Sequence, residues 1–248
     1  YGIPLSEFTT LRAGGGISRT IIETCPGASA DQVLDFVLQS GADFTDVTLR
    51  TGITRDTRNR TFFATRGAVS RVNLDVTVPG SGVEFFNLFA QNQFLVPVYK
   101  GFFLDFNSTI GYVDTYGKAK IVPPYENYFA GGPQTVRGYQ DGSLGPRDTP
   151  FNNPFGGTLR TNAQIELVIP TPLESDNKST RLVAFYDVGN VFANVEDFRA
   201  SELRGSAGIA GAFFTPFLGL LELSYAVPLH SKPFDRTDRF QITFGSGF

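Results

Sequence analysis

The feature of this sequence that most restricts its fold is an alternation of apolar and polar residues, period two, sustained over stretches of about ten residues. From Arg71 the chain reads Arg-Val-Asn-Leu-Asp-Val-Thr-Val. Val72, Leu74, Val76 and Val78 therefore share one face of a strand, and Asn73, Asp75 and Thr77 share the other. Leu159–Ile169 repeats the pattern, with Leu159, Ala163, Ile165, Leu167 and Ile169 opposed to Arg160, Asn162, Gln164 and Glu166. In Phe102–Tyr112, residues Phe102, Leu104, Phe106, Ile110 and Tyr112 oppose Asp105, Asn107 and Thr109. Further candidate strands are Phe8–Ile17, Phe44–Arg55, Glu84–Val96, Arg181–Phe192, Arg204–Phe214, Leu220–Val227 and Arg239–Phe248. The total is about ten strands, each near the roughly 9–11 residues that a tilted membrane-crossing strand needs.

A soluble β-sandwich also alternates, but its strands run to about 5–6 residues and its apolar faces meet in a dry core. Here the second face repeatedly carries Arg, Asp, Glu, Asn and Gln. A lipid-facing exterior around a hydrated interior accounts for that better, and backbone satisfaction in lipid then requires a closed or partner-completed sheet. The expected fold is all-β, a transmembrane antiparallel β-barrel. Composition agrees: 27 Gly and 15 Pro interrupt the chain too often for a helical bundle. With 21 Lys plus Arg against 24 Asp plus Glu, the net charge is only -3, which excludes a basic nucleic-acid surface and an acidic disordered tail. No run approaches the roughly 18 apolar residues of a spanning helix, and no charged region followed by an apolar run marks a secretory signal. The chain lacks Met and opens on Tyr1-Gly2-Ile3-Pro4, which reads as a turn between strands, so a portion of a longer, processed protein is expected.

Short breaks fall at Pro79–Gly82, Val96-Pro97-Val98 and Thr215–Gly219, and long polar connections at Thr20–Ala42 and Gly117–Gly157. Within the first long connection, Ala30–Gln39 has apolar residues at helical spacing and an acid in its first turn, which predicts one short amphipathic helix. The second runs to about 40 residues with little strand pattern, a length that is uncommon unless the loop is functional or disordered.

Catalytic constellations are thin. His230 is the single histidine and lies in an expected loop, and Cys25 is the single cysteine, so no zinc site of the usual type and no cofactor are expected. No spacing suggests Ser-His-Asp chemistry. Gly14-Gly15-Gly16 lacks the Lys-Ser/Thr of a phosphate loop. Asp105, Glu166 and Asp187 could form a hydrolytic carboxylate pair, although barrel interiors are commonly lined with charge. More informative is Tyr125–Tyr139, aromatic and Gly-rich, which could fold back into the lumen and carry Arg137 to an acidic partner. Phe185-Tyr186-Asp187-Val188-Gly189 sets Asp187 on a polar strand face with Phe185 and Gly189, and Glu166 points the same way from the preceding strand. A guanidinium forks well onto carboxylates. An ordinary surface salt bridge remains open as the alternative.

At these residues the sequence resembles the BamA family of outer-membrane protein assembly factors. Val136-Arg137-Gly138-Tyr139 is similar to the family's Val-Arg-Gly-Phe/Tyr motif in its long sixth extracellular loop. Phe185-x-Asp187-x-Gly189 is similar to the strand motif that receives the arginine, and Glu166 to its second acidic partner. Tyr125-Glu126-Asn127-Tyr128, Pro170-Thr171-Pro172-Leu173, Ser206-Ala207-Gly208-Ile209 and Ser224-Tyr225-Ala226-Val227-Pro228-Leu229 extend the likeness nearly end to end.

The resemblance implies that residues 1–248 are the C-terminal portion of such a barrel, family strands seven to sixteen, without the preceding POTRA domains and first strands. It implies a lumen-directed loop at 117–157, with a helix in the family's fourth loop near Asp31–Gln39. Phe240, Ile242, Phe244, Gly245, Gly247 and Phe248 would form the C-terminal β-signal and one edge of a lateral seam. The implied activity is non-enzymatic: insertion of nascent barrel proteins into the bacterial outer membrane. The implied partners are those proteins, accessory lipoproteins and outer-membrane lipid, with no nucleic acid. The alternatives are a two-partner secretion transporter of the same superfamily, a hydrolase using lumenal carboxylates, and a passive porin.

Overall fold

Among the described residues eleven strands form one antiparallel sheet whose order follows the chain. The structure, a computed structural model, describes residues 1–25, 27–61, 63–170, 180–215 and 219–244. The strands are β1 (Gly2–Ser6), β2 (Thr9–Ile21), β3 (Asp43–Asp56), β4 (Gly67–Thr77), β5 (Phe85–Tyr99), β6 (Phe102–Thr115), β7 (Gly138–Tyr139), β8 (Leu159–Ile169), β9 (Thr180–Phe192), β10 (Arg204–Thr215), β11 (Gly219–Pro228), β12 (Thr237–Asp238) and β13 (Phe240–Phe244). The sheet runs β1-β2-β3-β4-β5-β6-β8-β9-β10-β11-β13, while the two-residue strands β7 and β12 pair with each other. Among the described residues no ladder joins β1 to β13, so the sheet is not closed. No described helix is long and apolar enough to cross a membrane.

Burial is inverted relative to a soluble sheet. Ile165 is 45% exposed and Ile110 is 53% exposed, while Asn162, Gln164, Asp105 and Thr109 on the opposite faces of the same strands are buried. The apolar face of each strand therefore has nothing of this chain to pack on, and the polar face lines the inside. Strands β4, β5, β6, β8, β11 and β13 all contribute to one internal cavity of about 380 Å³, so the sheet is rolled, with its polar side inward. This removes the sandwich alternative.

Two expectations are corrected. Tyr1–Pro4 is not a turn: Gly2–Ser6 is an eleventh strand, paired with β2 from Gly2↔Arg12 to Ser6↔Thr9. Pro4 is tolerated because β1 is an edge, where a missing N–H need not break a ladder. Val96-Pro97-Val98 is not a break either. Strand β5 runs on to Tyr99, with Pro97 at a register shift, and the reversal comes at Lys100-Gly101. The expected turn at Pro216–Leu218, the Thr171-Pro172-Leu173 stretch, and Gly245, Gly247 and Phe248 lie outside the described residues.

The connections differ between the two ends. The reversals at 7–8 and 100–101 are short, and 57–66 lies at the same end. The opposite end carries 22–42 and 116–158. In outer-membrane barrels the longer loops are extracellular. The expected helix is α1 (Asp31–Ser40), with Asp31 in its first turn; Gly41 ends it, its N–H donating to the Val37 carbonyl at 2.9 Å. Phe36 is fully buried and packs with Phe44, Val83, Phe85 and Val113, fixing the helix over the end of the sheet. The backbone N–H of Asp31 donates to the Thr149 carbonyl at 2.8 Å, which ties the helix to the long loop.

Candidate functional site

The long loop between β6 and β8 returns to the inside of the sheet. Val136 and Tyr139 are fully buried with Ala130, Leu144 and Val191, so the aromatic, Gly-rich stretch has a small core of its own against the wall. That core sets Arg137 down on the polar face of three strands.

The Arg137 side chain is 2% exposed and meets three carboxylates. Its Nε donates to Asp187 Oδ2 and its Nη2 to Asp187 Oδ1, each at 2.8 Å, a two-pronged pairing on β9. The Arg137 backbone N–H adds a bond to Asp187 Oδ2 at 3.0 Å. Nη1 lies 2.8 Å from Glu166 Oε1 on β8 and 3.5 Å from Glu222 Oε1 on β11. The guanidinium carbon sits 3.5 Å above the centre of the Phe185 ring, a geometry that adds about 2 kcal/mol when desolvated. Asp187 is wholly buried, so its charge has Arg137 rather than water as its counterpart.

The motif's neighbours are shaped for this approach. Gly138 has φ 87°, and a Cβ there would come within 3.0 Å of the Ala226 Cβ on β11. A Cβ on Gly189 would lie 2.6 Å from the Asn162 Cβ. Tyr139 donates through its hydroxyl to the Gly205 carbonyl on β10 at 3.3 Å. Burial pushes this phenol up to about 12.

The structure thus brings Val136, Arg137, Gly138, Tyr139, Glu166, Phe185 and Asp187 to one place, with Gly189 on the same face of β9. Asp105 is engaged elsewhere: it accepts from Gln93 Nε2 at 2.9 Å and faces Arg181 Nη1 at 3.6 Å. Phe240, Ile242 and Phe244 lie on the outward face of β13, each about half exposed or more. Sequence reasoning missed Glu222 and Gln241. Glu222 had the same signal as Glu166, an acid on the polar face of an alternating strand. Gln241 sits inward between the outward Phe240 and Ile242. It donates to the Tyr139 carbonyl at 2.7 Å and accepts from the Gly138 N–H at 3.4 Å.

The Omp85 superfamily domain matches residues 1–248. The chain is 30% identical to the outer membrane protein assembly factor BamA of Neisseria meningitidis serogroup B, over 99% of its own length and 35% of that protein's. It is 26% identical to a SAM50-like protein of Drosophila melanogaster, over 81% of its length and 45% of that protein's. The crystal structure of BamA from Haemophilus ducreyi lacking POTRA domains 1–3 is similar with a TM-score of 0.86 at 25% identity, covering 97% of this chain and 52% of that one. The chain therefore spans between 35% and 52% of the length of these relatives. A rolled antiparallel sheet with its apolar face outward and an arginine-bearing loop packed inside is the wall of an integral outer-membrane barrel, and the chain belongs to the Omp85 superfamily.

Proposed function

We propose that this chain is the membrane-embedded part of an assembly factor that inserts nascent β-barrel proteins into the outer membrane, without cofactor or covalent step. The observation that carries this reading is the likeness to the Neisseria assembly factor over 99% of the chain, with the arginine of the long loop buried against acids of the wall. On this reading Arg137, Glu166, Asp187 and Phe185 are a lock that holds the loop of residues 117–157 inside the barrel. On the same reading strand β13 is the working edge: its side away from β11 has no ladder among the described residues, and an unpaired strand edge templates another strand through main-chain hydrogen bonds. Its outward Phe240, Ile242 and Phe244 would meet lipid, and Gly245, Gly247 and Phe248 would complete the seam. The partners are unfolded outer-membrane proteins, lipoproteins of the assembly machinery, and the bilayer.

The test is the folding rate of a small reporter barrel into liposomes with and without this chain already inserted. Acceleration supports the reading. An unchanged rate, with the chain shown to be folded by circular dichroism, places insertion in other parts of the protein and leaves this chain a structural wall.

A further inference from the structure

Among the described residues, strand β13 pairs with β11 over Phe240–Phe244, and the Arg239 carbonyl just before it accepts from the Ala226 N–H at 2.9 Å. Its other side has no ladder among the described residues. Yet Gln241, its second residue, is buried, and its side-chain amide is bonded to the loop motif.

The Gln241 amide bonds to the backbone on both sides of the Gly138–Tyr139 peptide, donating to the Tyr139 carbonyl at 2.7 Å and accepting from the Gly138 N–H at 3.4 Å. A second attachment lies just upstream of β13. Strand β7 pairs with β12 through Thr237↔Tyr139 and Asp238↔Gly138, and the Gln140 N–H donates to the Arg236 carbonyl at 2.8 Å. A third runs through the neighbouring strand, since Glu222 on β11 lies opposite Thr243 and faces Arg137. The residue whose cation anchors the loop to β8 and β9 is thus one peptide away from the groups that hold the terminal strand.

We infer that the loop motif is a clamp on the terminal strand, with Gln241 as the residue that positions β13 and Glu222 as the link to Arg137, so that release of the loop and release of the strand are one event. This deepens the assembly reading, because it makes the availability of the β13 edge depend on the state of the loop. Gln241 suits this role because its amide offers a donor and an acceptor in one plane, which lets one side chain bond a backbone carbonyl and a backbone N–H together.

The test is amide hydrogen exchange in the full protein held in detergent micelles, resolved by segment. Gln241→Ala should raise exchange of the Phe240–Phe244 amides by about tenfold or more, the effect of losing its two buried hydrogen bonds to the loop, while β8 and β9 stay as in the wild type. Arg137→Ala should raise exchange in the same β13 segment, although the carboxylates that pair with Arg137 lie on β8, β9 and β11. Gln241→Glu keeps the acceptor and loses the donor at neutral pH. Its β13 exchange, taken relative to wild type at each pH, should be raised near pH 7 and fall back as the carboxyl takes up its proton at about pH 4–5. General destabilisation does not give that return. Unchanged β13 exchange in Gln241→Ala, or a rise spread evenly over all strands, overturns the clamp. Reporter-barrel insertion measured on the same variants separates the two readings, because the clamp is judged on exchange alone and the assembly reading on insertion alone.

Discussion

Arg137 carries more of the internal electrostatics than any other described side chain, because a single guanidinium answers Glu166, Asp187 and Glu222. Removing one partner of a buried pair costs about 3–5 kcal/mol, since the remaining charge is left without water or counter-ion. Arg137→Ala should therefore lower the melting temperature of the folded protein and open the loop of residues 117–157 to protease. Unchanged melting with an unchanged cleavage pattern would remove the lock. Arg137→Lys should recover only part of the loss, because an ammonium cannot fork onto Asp187 as the guanidinium does. The sequence made Arg137 and Asp187 legible because each sits in a local motif. Glu222 lies 85 residues from Arg137 and Gln241 lies 102 from Tyr139. Their roles depend on where the loop lands, and no local pattern records that.

The strands show the same division between local and long-range information. Alternation assigned each face of β6 and β8 because the chain meets two different solvents, lipid outside and water or loop inside. A charge on the wrong face has a known cost: Ile165→Lys, midway along β8 and facing out, should destabilise by about 2–4 kcal/mol in a bilayer-based unfolding titration. A cost near zero would argue that this face is not in lipid. Strand β1 was hidden because Pro4 reads as a break, and only its place at the sheet edge makes it tolerable. The joint between the Pro79–Gly82 turn and the long loop titrates. Glu84 accepts from the Gly80 N–H at 2.9 Å and the Lys118 N–H at 2.8 Å, and these bonds, Gly80 first, hold its carboxyl below the usual range. A depressed folded value means that the stabilisation is present above the ordinary glutamate pKa and is lost as pH falls through the lower folded one. Exchange of the Gly80 and Lys118 amides, corrected for intrinsic rate, should rise on acidification below about pH 4. In Glu84→Gln that pH dependence should flatten, and a wild-type profile already flat would dismiss the joint.

Across the whole molecule the wall and the loop follow different rules. Every ladder of the large sheet joins strands that are successive in the wall, so the alternating pattern, read in order, already gave the architecture. The loop cuts across this order, reaching from between β6 and β8 to strands β9, β10, β11 and β13. That difference has a temporal consequence. A wall of neighbouring hairpins can be laid down strand after strand, each step closing only a short stretch of chain. The Gly138 N–H and the Tyr139 carbonyl find Gln241 only when β13 has arrived, so the loop cannot complete its contacts ahead of the wall. Completion of the loop therefore follows the arrival of β13, and the bonds at Gln241 act as a latch that only a wall already reaching this strand can catch.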